Sequence, residues 1–426
     1  AKSVAVLPFT NMSADPENEY FTDGMAEEII NALTKIQSLR VTSRTSSFSF
    51  KGKSDDIGEI GRKLKVSTVL EGGVRKMGNR LRITAQLVNV ADGSNLWSEK
   101  YDREIEDIFA IQDDISQAIV KALRVILTEG EKKQIEKART ENVQAYDYYL
   151  RGRQYFHQLR RKSLEYARQM FNKAIEIDPD YARAYAGVAD SCSTLYTYFD
   201  AREFNLRQAD MASEKALELA PELAEAHVAR GLVVSLSKRF DEAEKEFNIA
   251  MKLDPKLFEA PYWYGRALLS AGRSQEALKM FERASFLQPE DFQAINLVAQ
   301  AYDTLGMTAE KETALRRAMK LMQARLELNP DDARACNLLA TKYAKLGEPK
   351  LAVEYAERSL AIDPDDPMLL YNVSCAYAVL GMEQDAMKCL ERSVDNGFGH
   401  KEWIDHDPDF LSLRDNPRFK ALSKAI

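Results

Sequence analysis

Cysteine, histidine and long apolar runs are all scarce in this 426-residue chain, and each scarcity excludes something. Cys192, Cys336, Cys375 and Cys389 are too few and too scattered for a disulfide framework, and each sits where a small apolar helix residue would serve. They read as free buried thiols. Of the four histidines, His400 and His406 lie near Asp405, Asp407 and Asp409, but Pro408 and a capping register account for those acids. No metal site is therefore expected. No apolar run approaches the roughly 20 residues of a membrane span, so no membrane insertion by this chain is expected. Neither sign of charge dominates: 59 basic against 66 acidic side chains give a net charge of −7. Residues 1–128 hold 17 basic and 18 acidic groups, and the remainder 42 and 48. Without a basic face, no nucleic-acid partner is expected. The sequence has no Gly-x-x-x-x-Gly-Lys-Ser/Thr, His-Glu-x-x-His or Gly-x-Ser-x-Gly, and the glycines of Gly58–Lys63 fall within a helical stretch. No cofactor and no catalytic residue are expected, and the chain reads as not an enzyme. It opens Ala1-Lys2-Ser3, without an initiator Met or a signal peptide, and is expected to be excised from something longer. The compartment stays open between the cytoplasm and the periplasmic part of a membrane-anchored protein.

What is present divides by period. At 45% hydrophobic and 29% charged residues, and with more length than one core can use, at least two structural units are expected. Residues 1–105 alternate with period two. Val4–Phe9 is an apolar strand, and Asp23 is a candidate N-cap for a helix over Met25–Ile36. Leu39–Thr42 is a second strand, Ser43–Ser47 a hydroxyl-rich loop, and Asp56–Leu64 a short helix. From Val66 a meander follows, with a bulge predicted at Gly72-Gly73 and hairpins at Gly78-Asn79 and Asp92-Gly93. The order β-α-β-α-β-β-β predicts an α+β domain over residues 1–106, a mixed sheet layered against two helices. Asp107–Leu127 is one amphipathic stripe and opens a linking segment over residues 107–144. The change of period predicts two distinct cores.

Beyond it the signal is a repeat. A dipeptide ending in Pro closes six successive helix pairs, at Pro179, Pro221, Pro255, Pro289, Pro330 and Pro364, at intervals of 42, 34, 34, 41 and 34 residues. Ten positions after each stands a small residue: Ala189, Gly231, Gly265, Ala299, Ala340 and Ser374. Gly231, Ala243, Phe247 and Ala250 are echoed by Gly265, Ala277, Phe281 and Ala284. Small residues let helix B approach helix A, Phe fills the gap and Pro stops helix B. The two long intervals add about two helical turns each, so the helices are expected to lengthen while the register survives.

This pattern resembles the tetratricopeptide repeat, and residues 145–396 read as an all-α superhelix of about seven units, with a capping segment over residues 397–426. Residues 3–125 resemble the amino-terminal domain of TolB-like proteins, through Val4–Phe9, Tyr20–Gly24, Leu70–Arg75, Ala85–Leu87 and Leu96–Asp102. In related bacterial chains this pair of modules often follows a class III adenylate or guanylate cyclase domain, or a winged-helix DNA-binding domain. The resemblance implies the regulatory or assembly portion of a signalling protein whose output domain lies outside this chain.

In the array, inward positions of the A helices in the later units hold Tyr262, Arg266, Gln293, Asn296, Gln300, Arg334, Asn337, Lys345 and Tyr371. Carboxamides such as Asn296 and Asn337 can serve both the N–H and the C=O of an extended backbone, so a protein or peptide segment is the expected partner. The alternative readings are a solvated groove or one filled by the chain's own domain. Asp23, Ser43, Arg44 and Thr45 form a second candidate, a small-anion site of hydroxyls and one guanidinium, set against ordinary turn and cap chemistry. The functional readings are an interaction and regulatory module, an assembly scaffold or oligomerisation surface without a peptide ligand, and the regulatory fragment of an adenylate cyclase.

Overall fold

The computed structural model describes residues 2–125 and 140–426. Its amino-terminal unit is a six-stranded mixed sheet with helices. The elements are β1 (Ser3–Val6), β2 (Thr10–Asn11), α1 (Glu19–Thr34), β3 (Arg40–Val41), α2 (Arg44–Phe48), α3 (Ile57–Leu64), β4 (Thr68–Met77), β5 (Arg80–Asn89), β6 (Asn95–Glu104) and α4 (Ile108–Ala122). The sheet order is β3-β1-β4-β5-β6, with β2 beside β4. β1 runs parallel to both its neighbours, while β4, β5 and β6 are antiparallel.

Three local expectations are corrected. Asp23 does not cap a helix. α1 starts earlier, because a 3-10 turn over Pro16–Asn18, capped by Asp15, leads straight into Glu19. The Ser43–Ser47 stretch is a helix and not a loop: Ser43 Oγ accepts from the Ser46 N–H at 3.3 Å and caps α2. There is also no bulge at Gly72-Gly73, where the β4–β5 register is unbroken; the irregularity falls at Leu87/Val88, against β6. Gly72 is needed for close approach, since a Cβ there would lie 2.4 Å from the Thr84 carbonyl oxygen.

Among the described residues, seven antiparallel helix pairs follow. They are α5 (Val143–His157) with α6 (Arg161–Ile177), α7 (Ala182–Tyr198) with α8 (Glu203–Leu219), α9 (Ala224–Leu236) with α10 (Phe240–Leu253), and α11 (Glu259–Ser270) with α12 (Ser274–Leu287). Next come α13 (Phe292–Thr304) with α14 (Thr308–Leu328), α15 (Ala333–Lys345) with α16 (Pro349–Ile362), and α17 (Pro367–Val379) with α18 (Glu383–Asp395). The fold is a tetratricopeptide superhelix. Phe171, Phe247 and Phe281 are fully buried within their units. The long intervals do lengthen helices: α7 and α8 have 17 residues each and α14 has 21, against 13 in α9 and 14 in α10. α19 (Lys401–His406), a 3-10 stretch (Pro408–Leu413) and α20 (Pro417–Ala425) close the chain. Among the described residues, no helix is long and apolar enough to cross a membrane.

The expectation of two distinct cores is also corrected. The largest core runs without a break from Val4, Val6 and Leu70 of the sheet, through Phe21, Ile29, Ile111 and Ile115, to Tyr149, Phe171 and Val233 of the array. The physical reason is that α1 is buried on nearly every side, between sheet and array, while α4 turns its one apolar stripe into the same core and brings Phe109 against α5. Ring contact between Phe109 and Tyr146, at 4.8 Å between centroids, and a 2.7 Å hydrogen bond from Gln112 to the Tyr146 hydroxyl pin α4 to α5.

The superhelix also meets itself. After α18 the chain returns to the turn between α7 and α8, where His400 Nε2 lies 2.9 Å from the Thr197 carbonyl oxygen and Arg161 donates to the Asn396 carbonyl. Lys238 and Glu402 pair at 2.6 Å beside that contact.

Candidate functional site

The α/β unit lies against the loops that join one helix pair to the next. Lys256 Nζ donates to the carbonyls of Ile36, Gln37 and Leu39 at 2.6, 2.8 and 3.1 Å. Arg40 pairs with Glu290 at 3.0 Å, and Arg325 donates to the Thr45 carbonyl and the Ser49 hydroxyl. At the centre of this contact is Glu27, only 6% exposed in its side chain, which accepts from Arg44 Nε at 2.9 Å, from Arg153 at 2.6 and 2.8 Å, and lies 3.0 Å from His157 Nε2. Burial alone would raise its carboxyl, but Arg153, His157 and Arg44 outweigh burial and hold it well below the ordinary range. Burial, with the two guanidiniums, pushes His157 down to about 4, so the imidazole is neutral at pH 7. Beside it Glu28 pairs with Arg183 at 3.0 Å.

Of the residues of the expected small-anion site, Arg44 belongs to this clasp and Asp23, Ser43 and Thr45 have partners of their own. Arg44 already has a carboxylate, and its guanidinium covers the Phe48 ring at 3.9 Å. Asp23 takes Lys51 at 2.5 Å, Ser43 is spent as a cap, and the Thr45 carbonyl serves Arg325. Of these contacts only the one from Arg325 to the Thr45 carbonyl crosses to the array; those of Asp23, Ser43 and Arg44 stay within the α/β unit.

The inward residues of the array divide into four groups. Tyr262, Arg266, Gln293 and Arg334 converge around one ring. The Tyr262 hydroxyl donates to Gln293 at 3.4 Å and accepts from Arg266 at 3.4 Å. Burial pushes the Tyr262 phenol up to about 12. Arg266 and Arg334 place their guanidiniums 5.7 and 5.2 Å from the Tyr198 ring, which comes from the last residue of the lengthened α7. Lys345 and Tyr371 are instead held by the closing segment, Lys345 to Asp409 at 2.7 Å and Tyr371 to Asp407 at 2.7 Å. Asn296 and Asn337 carry side-chain oxygens that are buried without a hydrogen-bond partner, and Asn337 as a whole is 2% exposed. Gln300 is exposed and stands apart from the others.

Sequence reasoning missed Tyr198, Lys342, Asp407 and Asp409 as members of this surface. The 42-residue interval was the available signal for Tyr198. Burial, reinforced by Lys345, lowers the Lys342 ammonium to about 8. The sulfur of Cys375 and the carboxylates of Asp407 and Asp409 come within 4.8 Å of one another, a set able to ligate a metal. Lys345 already supplies a balancing positive charge at Asp409.

Comparison with known proteins follows the same division. Residues 1–121 match the second domain of HilA/YgeH-like transcriptional regulators. Residues 236–301 and 333–366 match tetratricopeptide repeats. A protein of Rhizobium meliloti (strain 1021) named "Putative adenylate cyclase 3" is 43% identical over 244 residues, which cover 57% of this chain; the match spans 42% of that relative's length. Among solved structures, YrrB, described as a TPR protein with an unusual peptide-binding site, is 25% identical with a TM-score of 0.28, covering 47% of this chain and 95% of its own. The human IFIT1 dimer with PPP-AAAA is 14% identical with a TM-score of 0.42, covering 68% of this chain and 83% of its own. The chain thus joins a domain similar to the second domain of HilA/YgeH-like regulators to an array of tetratricopeptide repeats, a protein–protein interaction module.

Proposed function

We propose that the chain is a non-catalytic interaction and regulatory module of a bacterial signalling protein, whose array grips an extended protein segment between units four and six. The observation that carries this reading is the pair of orphaned carboxamide oxygens on Asn296 and Asn337. A buried acceptor without a donor costs about 1–3 kcal/mol, and the N–H groups of an extended segment would remove that cost. The adenylate cyclase name of the Rhizobium relative supports a place beside a cyclase output domain, and the TolB-like pattern of residues 3–125 supports a unit that relays or anchors.

The test is calorimetry on a partner captured from native lysate. Asn296→Ala with Asn337→Ala should weaken its binding about 5–100-fold at an unchanged fold. A bound segment competes with the Tyr198 ring for Arg266 and Arg334, so Tyr198→Ala should strengthen binding. Undiminished affinity in the double variant would remove the groove as the binding surface. The second reading, an assembly scaffold without a peptide ligand, is favoured by one observation. Tyr198, Asp407 and Asp409 already occupy part of the inner surface from within the chain.

A further inference from the structure

The sheet has two edges, and among the described residues the array covers only one. β3, at one end of the order, carries Arg40, which reaches Glu290, and follows the carbonyls that Lys256 binds. β6, at the other end, is ten residues long and pairs with β5 alone among the described residues. Eight of its residues are exposed; Trp97 and Tyr101, half-buried, turn toward the core. A flat open edge of this length is a template for another strand, and chains that leave one open usually guard it with charge.

The direction of the unused backbone groups follows from the ladder. Ile105 N–H donates to the Asn79 carbonyl at 2.7 Å, in the same register that sets Arg103 opposite Leu81 and Tyr101 opposite Ile83. Antiparallel bonding alternates, so Trp97, Glu99, Tyr101 and Arg103 spend their N–H and C=O on β5. Ser98, Lys100, Asp102 and Glu104 aim theirs outward.

We propose that this edge pairs with the same edge of a second copy, antiparallel about a two-fold axis at Tyr101. Residues facing one another must share the same bonding direction, so the axis has to pass through a residue position. With the axis at Tyr101, Lys100 faces Asp102 of the second copy and Glu99 faces its Arg103. Symmetry repeats each pair, giving four opposite-charge contacts on one short stretch. Moving the axis by one residue sets Lys100 or Asp102 against itself, and moving it by two sets Glu99 or Arg103 against itself. The segment Glu99-Lys100-Tyr101-Asp102-Arg103 repels most strands and complements its own copy in this register. The result is one continuous sheet with an array beyond each far edge.

The experiment uses the whole chain. Sedimentation velocity over a concentration series should show a monomer–dimer equilibrium that weakens with added salt. Asp102 is already shared with Arg80 and Arg82, so the charges to reverse are Glu99 and Arg103. Glu99→Arg and Arg103→Glu should each weaken dimerisation about tenfold or more, and the double variant should restore it. Tyr101→Cys gives an independent readout. Facing residues of this class lie about 4.5 Å apart at Cα, within disulfide range, while the four native cysteines are buried, so mild oxidant should yield a covalent dimer. A chain that stays monomeric at all concentrations would overturn the proposal. So would a dimer indifferent to the single reversals, or one that the double variant fails to restore.

Discussion

Replacing Glu27 by Gln keeps the side chain's volume and removes one negative charge from a place where two guanidiniums depend on it. Arg153 reaches Glu27 at 2.6 Å and Arg44 at 2.9 Å, and the carboxylate is nearly sealed from water. Removing one member of a buried ion pair typically costs about 3–5 kcal/mol, because the remaining charge stays buried without compensation. Here two charges of the same sign are left together, and the neutral His157 cannot replace the lost one. The loss should fall on the attachment of α1 to α5, since Arg153 and His157 belong to the array and Glu27 to the α/β unit.

Hydrogen exchange on the backbone amides of α1 and α5 reads that attachment. A loss of about 3–5 kcal/mol in the opening free energy should speed exchange there roughly 100- to 5,000-fold, and change α17 and α18 little. The control is Arg80→Ala, which breaks a pair with Asp102 in which Arg80 is 71% exposed; such pairs contribute about 0–1 kcal/mol. If Glu27→Gln exchanges like the native chain in α1 and α5, the clasp does not hold the two units together, and the apolar core between them suffices.

Acid should loosen the same contact. His157 titrates near 4 in the fold against about 6.5 unfolded, so between those values the unfolded chain binds a proton the native chain refuses. His157's own contribution therefore falls by about 3 kcal/mol as pH drops through that window, and the gap in denaturation midpoint between native and His157→Gln chains, followed from pH 7 to 4, will show whether it does. Asp190 has the opposite sign: burial lifts it to about 7, so the fold keeps a proton that the unfolded chain loses above about 4. Its contribution is lost as pH rises toward 7, and Asp190→Asn should flatten that slope. In the array, Phe281→Ala should cost about 3–5 kcal/mol by leaving a cavity. Gly265→Ala should destabilise by about 1–3 kcal/mol, because its new Cβ would stand 2.5 Å from the Phe281 ring. An unmoved denaturation midpoint for either would remove the packing assignment.

The parts of this molecule that were legible in sequence are those governed by short-range rules. Seven helix pairs follow from Pro, Phe and small residues at fixed offsets, and the meander follows from alternation and turn residues. Contacts between parts written in different periods were not legible. Nothing near Glu27 marks it as the partner of Arg153, 126 positions later, since an acid in the first turn of a helix expected over Met25–Ile36 already has an ordinary explanation in the helix dipole. Asp23 was misplaced for the same reason. The rule for N-caps recognises a residue type, and Asp15 satisfied the same rule eight residues earlier with Pro16 behind it.

The deviations from the repeat carried more than the repeat did. An array packing only against its own neighbours has no use for extra residues, and three intervals of 34 show the length that suffices. The interval of 42 produces the longer α7, whose end delivers Tyr198 to Arg266 and Arg334, and Thr197 to the returning His400. The interval of 41 produces the longer α14, whose end carries Arg325 to Ser49 and Leu328 to Lys53 of the α/β unit. Both insertions lie where the array touches something other than its next unit. In a solenoid, then, a break in spacing that preserves register points to an added contact. The eight additional residues of the first insertion were the signal in the sequence for Tyr198 beside Arg266 and Arg334, and the seven of the second for the contact with Ser49 and Lys53.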